Sequence, residues 1–191
     1  MQVRKEEIRS RIQDAALNEF ALRGYKAVTM KKIAEKSGIA AGNIYTYFSS
    51  KDALLKCLLD DAVAALEEII FDIVPSEEIT SEKDLNQYSH NLAKKYTQFH
   101  KQIFILMNGC EGSNYANVKS RLAKLACQQV TLKFPEKFKN NQYVAEAIAI
   151  AIIEGSIHIL IQCGDNFELL CTSLSDYIKF IVGSLFAENG E

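Results

Sequence analysis

Residues 29–51, TMKKIAEKSGIAAGNIYTYFSSK, constrain the fold of this chain more than any other stretch. Ala34 leaves room where a second helix would cross the first, and Gly38 supplies the backbone angles of a sharp turn. Three isoleucines fall where they close a small core between the two helices: Ile33, Ile39 and Ile44. This spacing predicts a helix-turn-helix, whose second helix can lie in a DNA major groove while the first crosses the backbone.

A longer pattern surrounds this motif, in the run AALNEFALRGYKAVTMKKIAEKSGIAAGNIYTYFSSKDALL. Its marker positions are Phe20, Gly24-Tyr25, Thr29, Ile33-Ala34, Gly38-Ile39, Gly42 and Ile44-Tyr45-x-Tyr47-Phe48-x-x-Lys51. With these positions, residues 8–55 resemble the N-terminal DNA-binding domain of the tetracycline-repressor (TetR) family. The resemblance implies a homodimeric transcriptional repressor that binds a palindromic DNA operator and is released by a small-molecule effector.

The whole chain is expected to be helical. It has two prolines and nine glycines in 191 residues, and so few breakers favour an all-α fold. We predict a three-helix DNA-binding domain over 1–50 and a helical effector-binding and dimerisation bundle over 51–191. The predicted helices are about 4–22, 29–37, 41–48, 51–73, 81–106, 115–133, 142–163 and 166–187, with a linker at 76–80, a break at 108–114 and a loop at 134–141.

Charge is unevenly distributed along the chain. Residues 1–51 carry ten lysines and arginines against five acids, a net +5, whereas residues 52–191 carry a net −7. Residues 1–51, here called the head, are therefore basic, and residues 52–191, here called the body, are acidic. This division suits a protein that presents one end to phosphates.

Several basic residues of the head are candidates for phosphate contact. Lys31 and Lys32 follow the predicted N-cap Thr29, where the helix dipole disfavours cations unless an anion is near. Lys51 opens the fourth helix beside free backbone amides and predicts a phosphate clamp. Four more cations crowd the first helix and are either a solvated face or backbone contacts: Arg4, Lys5, Arg9 and Arg11.

The third predicted helix supplies the candidate base contacts. Ala41-Gly42 put almost no side chain at its leading end, and Asn43 can pair with adenine through its amide. By the resemblance, Tyr45 grips a phosphate and Tyr47 reaches the backbone or a base. The predicted DNA-binding residues are Thr29, Lys31, Lys32, Ala41, Gly42, Asn43, Tyr45, Thr46, Tyr47 and Lys51.

The helix predicted over 142–163 is apolar on nearly every side, so it needs neighbours all round, from its own chain and from a second copy. Glu146, Glu154 and His158 interrupt it and favour a protein interior over a membrane span. By the resemblance, the last two helices form a four-helix dimer interface. The predicted dimer residues are Ala147, Ala151, Gly155, Leu174, Ile178 and Ile181.

Glu154 and His158 are four residues apart on this apolar helix, and burial of such a pair is costly unless each group has a partner. They either satisfy each other, meet a polar group across the dimer seam, or line an effector pocket. The predicted pocket residues are Phe99, Phe104, Met107, Tyr115, Glu154 and His158. The aromatic residues among them could equally be ordinary core.

Nothing in the sequence predicts an enzyme, a cofactor or a metal site. The three histidines are scattered along the chain without metal-ligand spacing, and no GxSxG, P-loop or dinucleotide fingerprint is present. The five cysteines include no CxxC pair and are expected to be buried thiols in a reducing cytosol. Two alternatives for the body stay open: a protein-interaction module, or a thiol sensor using Cys163 or Cys171.

Overall fold

A computed structural model of the chain describes residues 2–72, 82–164 and 166–186. Within these ranges the regular elements are helical, which confirms the predicted all-α class. The helices are α1 (Gln2–Ala27), α2 (Met30–Ser37), α3 (Lys51–Asp72), α4 (Glu82–Gln98), α5 (His100–Asn108), α6 (Val118–Lys133), α7 (Pro135–Phe138), α8 (Gln142–Cys163) and α9 (Phe167–Phe186), with a 3-10 helix at Asn43–Thr46. The predicted linker at 76–80 and the predicted helix start at Ser81 lie outside the described residues.

The element predicted as a two-turn helix over 41–48 is a short 3-10 helix at Asn43–Thr46, here called the 3-10 turn. The N–H groups of Asn43 and Tyr47 donate to the carbonyls three residues earlier, as a 3-10 helix requires. The Thr46 hydroxyl also donates to the Asn43 carbonyl at 2.7 Å. Because this side chain competes for a carbonyl, and Ile44 and Thr46 are β-branched, a regular α-helix is disfavoured here.

Two other predictions of secondary structure need correction, one of a helix and one of a loop. The single helix predicted over 81–106 is interrupted at Phe99, whose N–H donates to the Tyr96 carbonyl in a tight turn. The Thr97 hydroxyl donates to the Ala93 carbonyl at 2.8 Å, which draws that carbonyl away from the regular ladder. The loop predicted over 134–141 contains α7, which begins at Pro135, a residue well suited to the first helical position.

The chain divides into two compact units. The first contains residues 1–64 and 101–119, and the second contains 65–100 and 120–191. The first unit includes all of the predicted 1–50 domain, while the functional boundary at residue 50 stays a prediction. In the first unit, α1 packs on α2, and its core is closed by the fully buried side chains of Ile12, Phe20, Ile33, Ile44 and Leu55.

The second unit is built from α9 packed against both α4 and α8. Its interior includes Leu92, Ile152, Leu160 and Leu174. Tyr96 is buried among them, and burial raises its pKa to about 12. Within the described ranges, α8 is long and apolar enough to cross a membrane, a test that a core helix of a soluble protein also passes.

Among the described residues, nothing covers one face of α8. Along this face the side chains of Val144, Ala147, Ile150 and Ala151 are exposed. Glu154 and His158 follow on the same face and are exposed as well, and their predicted partners stay predictions. Exposed apolar patches on a helix face often mark an interaction surface.

Candidate nucleic-acid interface

Helix α2 is held at both ends by the residues predicted to cap it. The Thr29 hydroxyl oxygen accepts from the Lys32 N–H at 3.2 Å, and Gly38 ends the helix in the left-handed conformation, with φ 70°. Lys31 is exposed in the first turn, while the Lys32 ammonium lies 3.3 Å from the Glu35 carboxylate on the surface. The start of α2 therefore offers an exposed lysine beside outward-facing backbone amides.

The 3-10 turn separates its inner and outer side chains as the sequence predicts. Ile44 and Phe48 are buried against the first unit's core. Ala41, Gly42, Asn43 and Thr46 are exposed, and so is Tyr45, with 56% of its surface accessible. Tyr47 is half-buried. One edge of the first unit thus presents small side chains, an amide, a hydroxyl and a phenol together.

A Cβ atom at Gly42 would meet no other atom within 4 Å, and its φ of −72° is one that any residue adopts. The fold itself therefore does not require glycine at this position. A steric reason for glycine must come from something outside the chain that approaches closely.

Lys51 lies where α3 begins and points back toward the end of α1. Its ammonium donates to the carbonyls of Tyr25 at 2.7 Å and Val28 at 2.8 Å, and sits 4.0 Å from the centroid of the Tyr25 ring. Burial lowers the pKa of Lys51, although the charge of Asp52 acts in the opposite direction. Two of its three N–H donors are thus used inside the protein. A phosphate contact by Lys51 stays a prediction and would use the third.

Tyr25 and Asp52 complete this cluster, and neither was singled out for a contact from the sequence. The Tyr25 hydroxyl donates to the Asp52 carboxylate at 2.7 Å. Burial, and then this bond to a carboxylate, raise the pKa of Tyr25 to about 12, so the phenol stays protonated and remains a donor. The cluster ties the α1–α2 connection to the start of α3.

Substituting Lys51 by alanine should destabilise the first unit. The change leaves the Tyr25 and Val28 carbonyls without this charged donor, which is expected to lower the free energy of unfolding by about 2 kcal/mol. Urea denaturation followed by circular dichroism measures the effect. Lys31→Ala is the matched control, because Lys31 is exposed and such surface changes are within about 0.5 kcal/mol. Equal urea midpoints for the two variants would contradict the structural role of Lys51.

A second segment, residues 101–119, belongs to the first unit and packs closely against α1 at Gly24 and Gly109. Gly24 has φ 71° and ends the regular part of α1, as predicted. This geometry lets the Tyr25 N–H donate to the Gly109 carbonyl at 2.7 Å. A Cβ atom at Gly109 would lie 3.2 Å from the Ile105 carbonyl oxygen and 3.4 Å from that of Phe20. The backbones approach so closely that both positions favour glycine.

The residues predicted for an effector pocket fall in both units. Phe104, Met107 and Tyr115 belong to the first unit, and Phe99, Glu154 and His158 to the second. Tyr115 donates its hydroxyl to Asp60, and bonds from Lys56 and Tyr115 lower the pKa of that carboxyl. The effector pocket that these six residues are predicted to line stays a prediction.

An open groove of about 590 Å³ in the second unit is lined by other residues: Lys83, Asn86, Gln87 and His90.

The predicted dimer residues differ in exposure. Ala147 and Ala151 are exposed, whereas Leu174 and Ile178 are buried within the second unit. Ile181 is half-buried. Gly155 lies beneath Tyr177, whose hydroxyl oxygen would be 2.3 Å from a Cβ atom there. Of this set, the two alanines of α8 are therefore the residues most available to a second copy.

The cysteines are free thiols, but not all are buried as expected. Cys57 is exposed and Cys110 is buried, while Cys127, Cys163 and Cys171 are half-buried. Cys57 is exposed although it lies beside α1, where the Gln13 amide donates to its sulphur at 3.2 Å. Burial, and then the charge of Glu168, raise the pKa of Cys171.

Comparison with known proteins gives this geometry a context. The sequence profile described as "Bacterial regulatory proteins, tetR family" matches residues 12–58. A transcriptional repressor of Rhodococcus jostii, KstR2, is 38% identical over 66 residues, which cover 32% of this chain and 32% of that protein. The repressor Rv3405c of Mycobacterium tuberculosis is 30% identical over 90 residues, 47% of each protein. The chain thus matches less than half the length of these relatives, both of which are named as transcriptional repressors.

Solved structures resemble the chain over almost its whole length. A TetR-like transcriptional regulator from Rhodococcus sp. RHA1 has a TM-score of 0.61 at 19% identity, covering 95% of this chain and 97% of that one. A TetR-family regulator from Bordetella parapertussis has a TM-score of 0.64 at 17% identity, covering 96% of both. At these identities the likeness concerns the fold, a helix-turn-helix head followed by a helical body.

Proposed function

Because the chain belongs to the tetR family of bacterial regulatory proteins, we propose that it is a DNA-binding transcriptional regulator that acts as a homodimeric repressor. Each head would enter a major groove of a palindromic operator, with half-sites one or more helical turns apart. A small-molecule effector in the body would release the repressor, and a coupling of about 1–3 kcal/mol is enough for such a switch. The protein would act in the cytoplasm, without a membrane partner.

The observation that carries this proposal is the outer edge of the 3-10 turn. Exposed Ala41, Gly42 and Asn43 lead it, followed by exposed Tyr45 and Thr46, while Ile44 and Phe48 anchor it from beneath. A short backbone segment with small leading side chains can approach base edges closely, and its amide and hydroxyl groups can bond to them. Thr29, Lys31 and Lys32 at α2, and Lys51 at α3, would supply backbone contacts.

Dimerisation is supported by the uncovered apolar face of α8. A two-fold interface uses the same patch on both copies, so a helix face of small and apolar residues can pack on its own duplicate. Ala147 and Ala151 would lie at its centre, with Gly155 and the α9 residues Leu174, Ile178 and Ile181 behind them. The two heads would then be related by the symmetry that a palindrome requires.

Different observations bear on the two alternatives for the body, a thiol sensor and a protein-interaction module. A thiol sensor requires a thiolate. The raised pKa of Cys171 favours its protonated thiol, which is less reactive than the thiolate. A protein-interaction module would use the same uncovered α8 face that we assign to a second copy. The oligomeric state of the purified chain separates this alternative from the homodimer.

The experiment that tests the function selects DNA fragments from the source genome with the purified protein. A repressor of this kind is expected to enrich a few fragments that share an inverted repeat, and to protect both half-sites from nuclease. Enrichment without a common motif, at affinities that vanish at physiological salt, would indicate only non-specific charge attraction and would contradict the proposal.

Tyr45→Phe should weaken binding to the selected operator while leaving the fold and the dimer intact. The substitution removes one exposed hydroxyl that is proposed to bond a phosphate, so an affinity loss of about threefold to tenfold is expected. Fluorescence anisotropy at fixed salt measures the loss. Tyr143→Phe is the matched control, because Tyr143 is an exposed tyrosine of α8. Unchanged affinity for Tyr45→Phe would remove this residue from the proposed interface.

A further inference from the structure

Arg9 on α1 contacts the residues that leave the 3-10 turn and the helix that follows. Its Nη1 donates to the Tyr47 carbonyl at 3.3 Å, and its Cζ lies 4.4 Å from the centroid of the Phe48 ring. Its Nη2 lies 3.7 Å from the Cys57 sulphur on α3. We propose that Arg9 is a positioning residue that fixes the orientation of the 3-10 turn for DNA, and that it is not one of the phosphate contacts. This inference rests on the proposed function.

The geometry requires a guanidinium and not merely a positive charge. The planar group stacks over Phe48 and at the same time directs N–H donors within its plane to Tyr47 and Cys57. A lysine ammonium could approach the ring or the carbonyl, but it has no plane with which to satisfy both. Arg9 is half-buried, whereas Arg11 two residues later is exposed. The structure thus separates Arg9 from the cations that face solvent.

Gln13 strengthens the same attachment one helical turn further along α1. Its amide donates to the Cys57 sulphur at 3.2 Å, beside the Arg9 contact to that atom. Two neighbouring side chains of α1 therefore hold α3, and one of them also holds Tyr47. Because Tyr47 immediately follows Tyr45 and Thr46, a shift of its backbone would displace the exposed edge proposed to meet DNA.

The salt dependence of binding distinguishes a positioning residue from a phosphate contact. Each phosphate neutralised by a cation releases counterions, and it contributes about 0.9 to the slope of log affinity against log salt. Removing a phosphate contact lowers both the affinity and this slope. Removing a positioning residue lowers the affinity at every salt concentration and leaves the slope unchanged.

The test compares Arg9→Lys, Arg9→Gln and Lys31→Ala with the unsubstituted protein, on the selected operator at several salt concentrations. Both Arg9 variants are expected to bind about tenfold more weakly, with the slope unchanged, because neither side chain can hold the Phe48 ring and the Tyr47 carbonyl at the same time. Lys31→Ala, the control for a phosphate contact, should lower the slope by about 0.9. Thermal unfolding monitors the fold, and Arg9→Gln, which keeps an amide donor, covers the case that one variant is unstable.

Hydrogen exchange tests the inference without DNA. Amides of residues 43–48 should exchange faster in Arg9→Lys, because the segment that ends the 3-10 turn loses its attachment to α1, while those of α8 in the second unit are unchanged. Unsubstituted affinity in Arg9→Lys, a slope reduced by one contact in Arg9→Gln, or unchanged exchange over 43–48 would each overturn the inference. If the unsubstituted protein selects no operator, the proposed function fails, and the exchange measurement still decides whether Arg9 holds the 3-10 turn.

Discussion

Gly42→Leu is expected to reduce operator affinity about a hundredfold, which is the order of magnitude for losing the contacts to two base pairs. The free energy of unfolding should not change. The fold has space for the side chain, because a Cβ atom there meets nothing within 4 Å and the backbone is in the ordinary helical region. The same side chain would project from the exposed edge of the 3-10 turn. It would hold the backbone away from the base edges that the proposal places against it.

The measurement pairs anisotropy titrations on the operator with urea denaturation. Ala64→Leu is the control, since Ala64 is an exposed small residue of α3 and receives the same added volume. Normal operator binding by Gly42→Leu would show that the leading end of the 3-10 turn does not approach DNA closely. A loss of stability in parallel with binding would instead mean that glycine serves the fold.

The parts of the head that were predicted correctly depend on local pattern. Ile33, Ala34 and Ile44 are fully buried, and Gly38 adopts the left-handed geometry that ends a helix. Each of these roles is set by spacing within a few residues, so a single sequence contains the information. The outward placement of Tyr45 was implied by the family resemblance, and the structure exposes this residue while Ile44 and Phe48 are buried.

The features that were missed depend on partners far along the chain. The phosphate contact predicted for Lys51 stays a prediction, but the sequence did not indicate that its ammonium bonds carbonyls 23 and 26 residues earlier. The approach of Gly109 to Tyr25 spans more than 80 residues, and the sequence indicated only that a glycine interrupts a helix there. Arg9 was one of four clustered cations, and its contacts with Tyr47 and Phe48 distinguish it in the structure. Side-chain type and spacing carry no information about such pairings.

The second expected effect concerns α8. In the part of the chain that the structure describes, Glu154 and His158 share an exposed face of α8 with Ala147 and Ala151. Ala147→Arg should therefore raise the dimer dissociation constant by about a hundredfold or more. In a two-fold interface the substitution acts twice and brings like charges together, which costs several kcal/mol. Sedimentation velocity over a series of concentrations measures the shift.

Two matched variants separate dimer loss from misfolding. Ala64→Arg adds the same charge to an exposed position of α3 and should remain dimeric, and Ala147→Ser keeps a small residue at the seam and should do so too. Because a monomer carries one head, Ala147→Arg should protect at most one half-site, with weaker binding to the full palindrome. A dimer that survives Ala147→Arg would refute the α8 seam. If Ala147→Arg is a monomer and still binds the full operator as tightly as the unsubstituted protein, the α8 interface is supported. The palindromic arrangement of the two heads is then refuted.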